Sequence, residues 1–421
     1  MSAIQLRTLT LLCASFLCLD AHAETSAQAK PPDARQERLE GLSKDDLQRL
    51  APELASGAVA LVEFADMNAG KLPAIDIAVP VNASADLVTR IVTDPASYPR
   101  FMPALDRVKV IAKNGPSIVY DWAFDLAVLQ MRGRNVMTLY PAPKGRADAA
   151  SRITIDSEDG DLGRGRYLFR VHPRGDSALL VVSIRLDLRE ANFITRQVAK
   201  AARSVNRSAN IALAFSMALH LRSEAERQAR HVSAPAARRE MHKPNFEVGR
   251  LAPLLNRGDL VLLDATDTQL AQIAVIGGVA QNEAKVATVM RDAKAFGSAL
   301  VPGSQAEVVA REGPVTTFDW NIALPLLGVS GTMRMTDQAP LMTIDATQGA
   351  MTGGRWMFEL APVGPEVTLV TGWARFAFND TSWLLEKLVS ADPYLEQGMV
   401  AACQVMLLRA VRSRSMPPDP K

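Results

Sequence analysis

The chain has 421 residues, 48% hydrophobic and 22% charged, with a formal net charge of +2. That length accommodates two domains of about 150–200 residues each. A charge so close to zero excludes the broad basic footprint of a nucleic-acid-binding protein, so no nucleic-acid partner is expected.

The N-terminus reads as an export signal. Arg7 closes a short basic region, residues 9–19 are apolar, and Ala21-His22-Ala23 supplies the small residues of a cleavage site near Ala23. The apolar stretch is too short to span a bilayer, and no later run reaches about 18 apolar residues. Cleavage removes Cys13 and Cys18 and leaves Cys403 as the one remaining cysteine. Neither an intrachain disulfide nor a cysteine metal site is then expected. The expected location is periplasmic or secreted. Residues 1–23 are the signal peptide, and 24–56 are a polar leader with a short helix over 44–54.

From there the chain occurs twice. Gly115-Pro116 and Asp121-Trp122 return 198 residues later as Gly313-Pro314 and Asp319-Trp320. Asp94, Tyr98, Gly133 and Met137 find Asp292, Phe296, Gly331 and Met335 at the same spacing. Beyond them the spacing drops to 189, from Ile155 to Ile344 and from Arg166 to Arg355. One deletion of about nine residues accounts for the drop, and a period this long means two whole domains rather than a solenoid. The expected domains are 57–230 and 257–415, joined by a linker over 231–256.

The elements of the first copy follow in order. Strands are expected over 58–64 and 72–81, and an amphipathic helix over 84–92. Asp94-Pro95 starts a second short helix, with the Asp side chain as cap and Pro at the first helical position. Period-two strands follow. Tyr120, Trp122 and Phe124 share a face, then Gly133, Asn135 and Met137, then Ile155 and Ser157, then Tyr167 and Phe169. Short Gly, Pro and Asp turns between them argue for an antiparallel meander. The copy ends in helix over 193–230. Residues 211–221 are apolar almost all round, as expected of a helix buried between its own sheet and the other copy. The second copy repeats this order. Its inward faces carry Phe318, Trp320 and Ile322, then Met333 and Met335, then Trp356 and Phe358. Asp392-Pro393 caps a final helix whose apolar face carries Leu395, Met399, Ala402, Met406 and Ala410.

This order of elements resembles the helix-grip fold of the START-like (SRPBCC) superfamily. The stretch Asp94-Pro95-Ala96-Ser97-Tyr98-Pro99-Arg100-Phe101-Met102-Pro103 is similar to the D…YP.F.P segment of its polyketide cyclase and coenzyme Q-binding members. In the second copy Arg291-Asp292-Ala293-Lys294-Ala295-Phe296-Gly297 lacks both prolines, so its membership rests on its echo of the first. The resemblance implies an α+β protein of two helix-grip domains, each a curved antiparallel sheet around a long C-terminal helix. It also implies an apolar cavity between sheet and helix; such pockets run to about 300–1,000 Å³. The implied ligand-lining residues are Tyr120, Trp122, Phe124, Asn135, Met137, Tyr167 and Phe169 in the first copy. In the second they are Phe318, Trp320, Met333, Met335, Trp356, Phe358, Met399 and Met406. The implied partner is a hydrophobic small molecule or lipid.

Residues that could carry catalysis are sparse. Asn135 and Ser157 are the inward polar residues of the first copy. The histidines have no ligand spacing, so no metal and no cofactor are expected. His172 falls on outward parity, and His220 reads as a satisfied helix residue. The acidic run 156–161 lacks calcium-loop spacing and reads as a solvated turn. Parity turns Asp121 and Asp319 outward. Arg196, Lys200, Arg203, Arg207, Arg222, Arg227 and Arg230 read as a solvated helix face, or as contact with an anionic membrane surface. Three functional classes remain open. One is a carrier of an apolar ligand. Another is a polyketide cyclase or dehydratase-type enzyme using Asn135 with Tyr140 or Arg185. The last is an interaction module with filled cores.

Overall fold

A computed structural model describes residues 39–415, except 40, 65–73, 127–128, 144, 147–148, 162–163, 188–202, 231–239, 267–268, 295–303, 323–328, 380 and 382. The expected signal peptide and most of the leader lie outside the described residues, as do Arg196 and Lys200.

Helices α1 (Lys44–Arg49) and α2 (Ala51–Leu54) open the described chain, followed by β1 (Ala58–Glu63), β2 (Ile75–Val81) and α3 (Ala85–Val92). A 3-10 turn, Pro95–Arg100, leads into β3 (Leu105–Asn114), β4 (Ser117–Leu126), β5 (Leu129–Tyr140), β6 (Ser151–Gly160), β7 (Arg164–Arg174) and β8 (Ser177–Asp187). The first copy closes with the long helix α4 (Arg203–Gln228). The second contains α5 (Val248–Leu255), β9 (Gly258–Thr266), β10 (Gln269–Val279) and α6 (Glu283–Arg291). It continues through β11 (Gln305–Glu312), β12 (Val315–Ile322), β13 (Val329–Gln338), β14 (Leu341–Gly349), β15 (Arg355–Gly364) and β16 (Val367–Arg375), and ends in α7 (Trp383–Ala391) and α8 (Pro393–Ser415).

The two sheets are one. Sixteen strands run in the order β11-β12-β13-β14-β15-β16-β10-β9-β1-β2-β8-β7-β6-β5-β4-β3. The seam is the antiparallel pair β1–β9, in which Ala60 lies opposite Val261. These two residues hold equivalent positions, as Gly57 and Gly258 do, so a local two-fold axis passes between them. The helices before the seam obey the same axis. Arg-Leu-Ala-Pro occurs at 49–52 and again at 250–253. Arg49 Nη1 donates to the Arg250 carbonyl at 3.4 Å, and Arg250 Nη1 donates back to the Arg49 carbonyl. Arg250 also forms a two-pronged ion pair with Glu53, at 2.6 and 2.8 Å. Helix α5 therefore lies within the stretch read as linker, and its sequence signature is the repeated Arg-Leu-Ala-Pro.

Burial explains why the central strands read differently from the outer ones. The strand Ala58–Glu63 is buried on both faces, so it is a continuous apolar run. On the convex face Val59, Leu61, Leu260 and Ile276 pack under Leu47, Leu50, Leu54, Leu251 and Leu254 of α1, α2 and α5. On the concave face Ala60, Ile77, Val261 and Val275 join the main core with α4 and α8. Farther out one face meets water and alternation returns: Phe318 and Trp320 are buried while Asp319 and Asn321 are exposed. The outermost strands β3 and β11 each carry a register shift at equivalent places, between Val110 and Ala112 and between Val308 and Ala310. Such bulges twist a sheet edge away from further pairing.

Helices α4 and α8 run antiparallel against one another in the concave face. Gly398 sits on Ala212, so closely that a Cβ there would lie 2.5 Å from the Ala212 carbonyl oxygen. Ile211, Ala214, Phe215, Ala218 and Leu221 are buried in the same core, as their all-round apolarity implied. The face predicted for α8 is shifted. Ala402 and Ala410 are buried, but Leu395, Met399 and Met406 are only partly so, and Val400, Ala401, Gln404, Val405 and Leu408 are buried instead. A helix packed against α4, α6 and the sheet has no single inward stripe. Two helix starts also differ from expectation. The 44–54 helix breaks at Leu50, ahead of Pro52. The side chain of Asp94 makes no cap bond to the 3-10 turn; the backbone amide and hydroxyl of Ser97 bond its carbonyl instead, at 3.1 and 2.8 Å.

Candidate functional site

The site is built from the inward faces of the outer strands. In the second copy β12 contributes Phe318, Trp320 and Ile322, β13 contributes Met333, β14 Ile344 and β15 Trp356. Period two puts these on one face, and α8 closes over them with Cys403, Met406 and Leu407. Together with Met351 and Phe376 they line a partly open cavity of about 80 Å³, whose wall is apolar among the described residues, and Gln305 and Asn321 stand exposed at its margin. Trp356 stacks on Phe376 with ring centroids 4.7 Å apart. Trp320 lies over Gly331, where a Cβ would come within 3.3 Å of the indole nitrogen.

The cavity is smaller than the implied 300–1,000 Å³. Two tryptophans, two phenylalanines and three methionines occupy the space that smaller side chains would leave open. Met351 reaches it from an unusual backbone: its φ is 68°, in the left-handed region that a side chain normally avoids. The turn that holds it is tied down by Ala350 N to Ser330 O at 2.9 Å and Gly354 N to Met351 O at 2.8 Å. The Cys403 thiol also lines the cavity, and burial pushes its pKa up to about 12. It stays protonated at neutral pH and is a poor nucleophile.

Of the implied residues, Phe318, Trp320, Met333, Trp356 and Met406 converge on this cavity, while Met335, Phe358 and Met399 lie outside its wall. Met335 and Phe358 are core, and Phe358 packs over Gly372. Ile322 and Ile344 share parity with residues already chosen. Cys403 stands four residues after Met399 and three before Met406, a helical spacing that could have found it. Met351 had no signal, because a turn residue with positive φ follows no period.

In the first copy Tyr120, Trp122, Met137, Tyr167 and Phe169 are all buried on the equivalent face, with Phe124 and Asn135 partly so. Trp122 and Phe124 meet edge to face at 5.2 Å. Asn135 Nδ2 donates to Tyr120 Oη at 3.1 Å. Burial raises the Tyr120 phenol pKa, against a smaller lowering by that bond, so the hydroxyl stays neutral. The partner of Asn135 is thus Tyr120. Tyr140 is exposed and pairs with Arg152, and Arg185 belongs to the opposite face of β8 from Ile184 and Leu186, so neither of the two partners proposed for Asn135 faces it.

Most of the other polar candidates are satisfied structurally; His172 Nε2 is buried with no hydrogen-bond partner among the described residues. Asp121 pairs with Arg134 at 2.7 Å, and Asp319 accepts from Thr332 Oγ1 at 2.7 Å, both on the outward face. In the acidic run, Asp156 pairs with Arg166 at 2.5 Å and Asp161 accepts from the Arg132 amide at 2.9 Å. His220 Nε2 meets Asp392 Oδ1 at 2.9 Å, and Ser216 Oγ donates to Asp392 Oδ2 at 3.1 Å. Asp392 also accepts from the amides of Tyr394 and Leu395 at 3.0 Å each, the cap expected of it. Burial works against its carboxylate, but these bonds, His220 first, hold its pKa below the usual range. Arg222 and Arg227 of the basic series are paired with Glu226 and Glu224. Among the described residues no group of three or more His, Cys, Asp or Glu is placed to hold a metal, and no helix is long and apolar enough to cross a membrane.

Residues 74–214 match the family described as polyketide cyclase / dehydrase and lipid transport. No curated protein matches the chain. Among solved structures, the chain is similar to the Zhui aromatase/cyclase from Streptomyces sp. R1128, at 19% identity and a TM-score of 0.30, covering 37% of this chain and 95% of that one. It is similar to the di-domain aromatase/cyclase StfQ from the steffimycin biosynthetic pathway at 13% identity and a TM-score of 0.29, covering 81% of this chain and 97% of that one. A STAR-related lipid transfer protein from Xanthomonas axonopodis matches at 12% identity and a TM-score of 0.31, over 40% of this chain and 94% of that one. Likenesses this distant carry no functional argument.

Proposed function

We propose, from the match of residues 74–214 to the polyketide cyclase / dehydrase and lipid transport family, that the protein is an exported carrier of an apolar small molecule or lipid. The observation that carries the reading is the apolar cavity under α8, with Phe318, Trp320 and Trp356 on its wall. Its mechanism is sequestration. Burying about 150–250 Å² of one aromatic group, at about 25 cal/mol per Å², supplies about 4–6 kcal/mol. That corresponds to dissociation constants from about 1 mM to about 30 μM.

Size sets a condition on this reading. A cavity of about 80 Å³ is smaller than the engineered cavity of about 150 Å³ known to hold benzene. A ligand therefore enters as Met333, Met351 and Met406 change rotamer, which unbranched thioether side chains do readily. The enzymatic alternative has less support: among the described residues the cavity wall offers a protonated thiol and no carboxylate or imidazole. Export is supported by the apolar stretch 9–19 and the small residues before Glu24.

The test is titration of delipidated protein with N-phenyl-1-naphthylamine, followed by fluorescence. Saturable binding is expected, reduced at least tenfold by Met406→Trp, which fills the cavity. Absence of saturable binding by the wild type would refute the carrier reading. Intact mass of protein recovered from outside the cytoplasm is expected to begin at residue 24.

A further inference from the structure

The chain is its own control, because the same inward row exists twice with different chemistry. In the first copy Tyr120 pairs directly with Asn135 across β4–β5, and Asn135 with Ser157 across β5–β6. In the second, Phe318 pairs with Met333 across β12–β13, and Met333 with Ala346 across β13–β14. The first two positions correspond at 198 residues and the third at 189. At every position of the row the first copy has a hydrogen-bonding side chain where the second has an apolar one. Shape is nearly conserved from Tyr to Phe and from Ser to Ala, so packing does not demand the polar atoms.

We infer that the concave face of the first copy is the selective half of the protein. Its Tyr120–Asn135–Ser157 row reads a hydroxyl or carbonyl oxygen on an otherwise apolar ligand, while the second copy takes hydrocarbon without reading polar atoms. Asn135 is placed for this. It is partly accessible, so solvent reaches it, and its Nδ2 already orients the Tyr120 hydroxyl at 3.1 Å. An Asn side chain has a carbonyl oxygen and a second amide hydrogen beyond that bond, and a tyrosine hydroxyl both donates and accepts. A site built around such groups discriminates strongly against an analogue that lacks the matching oxygen, because the protein's polar atoms are then left without a partner. An apolar wall separates the same two ligands weakly. The inference rests on the carrier reading and assigns the two halves different tasks within it.

The experiment compares 2-naphthol with 2-methylnaphthalene, which differ mainly in one oxygen, by calorimetric titration. It is run in full-length protein carrying Met406→Trp, so that the second copy's cavity is closed. The expected preference for 2-naphthol is at least tenfold. The triple substitution Tyr120→Phe, Asn135→Met and Ser157→Ala, which installs the residues of the second copy, is expected to bring the ratio close to one. Tyr120→Phe alone, which removes a single atom, gives an intermediate ratio and remains informative if the triple variant fails to fold. A ratio near one before substitution, or an unchanged preference after it, overturns the inference while leaving the carrier reading intact. Failure of both probes to bind the protein, with and without Met406→Trp, overturns both.

Discussion

Asp76 offers the sharpest test of how the sheet is held together. It lies on β2 with no exposed surface; Ser183 Oγ donates to Oδ1, and Oδ2 has no hydrogen-bond partner among the described residues. Burial is the main cause that pushes its pKa from 3.8 up to about 6, although Ser183 and the more distant Arg170 and Arg257 pull it down. At about 1.36 kcal/mol per pKa unit, that displacement corresponds to about 3 kcal/mol. The folded-state pKa is raised, so the protonated form is favoured by folding. The resulting stability is fully present below about pH 4 and is lost as pH rises through about 6. Asp76→Asn keeps an acceptor for Ser183 and cannot ionise. It is expected to be up to about 3 kcal/mol more stable than the wild type at pH 7.5, with the difference vanishing near pH 4. Urea unfolding of both proteins at several pH values measures this, and comparing the pair cancels the other titrating groups. A difference that stays constant with pH, or a less stable variant at pH 7.5, would refute the reasoning.

Two further outcomes follow from the contact between α4 and α8. Gly398→Ala puts a methyl group 2.5 Å from the Ala212 carbonyl oxygen, so the helices must separate; a loss of about 1–3 kcal/mol is expected by thermal unfolding. His220→Ala leaves the Asp392 carboxylate buried without its ring partner. Since Ser216 and two backbone amides still hold that carboxylate, the expected loss in urea unfolding at pH 7 is about 3 kcal/mol, the low end for a broken buried pair.

What could be read from residue order alone had a period. The inward faces of β4, β5, β7, β12 and β15 followed alternation, and Phe318, Trp320 and Trp356 reached the cavity for that reason. The duplication was visible because both Gly-Pro turns kept their place, each glycine at a φ of 58° that side chains disfavour. What escaped had no local signal. The β1–β9 seam joins residues about two hundred apart, and a strand buried on both faces shows no alternation to say which neighbour it wants. The burial of α8 was misjudged because Gln397 and Gln404 are buried there, and an apolar-stripe argument assigns glutamine to water.

The seam also explains why the two halves could diverge. A β1–β9 ladder and an α4–α8 contact bury the surfaces that separate domains would leave wet, and both lie on the two-fold axis, away from the outer strands. Substitutions at the outer strands therefore leave the joint unchanged. The convex face shows the same freedom: Asp76 pairs with Ser183, whereas Ala274 pairs with Trp373 in the second copy. A buried carboxylate at this position is thus dispensable to the fold, as the expected gain from Asp76→Asn requires. The Tyr120–Asn135–Ser157 row is equally dispensable, since Phe318, Met333 and Ala346 fill the same positions in the second copy. Polar residues that packing does not require, at the positions where a ligand would touch the sheet, are best accounted for by what they contact.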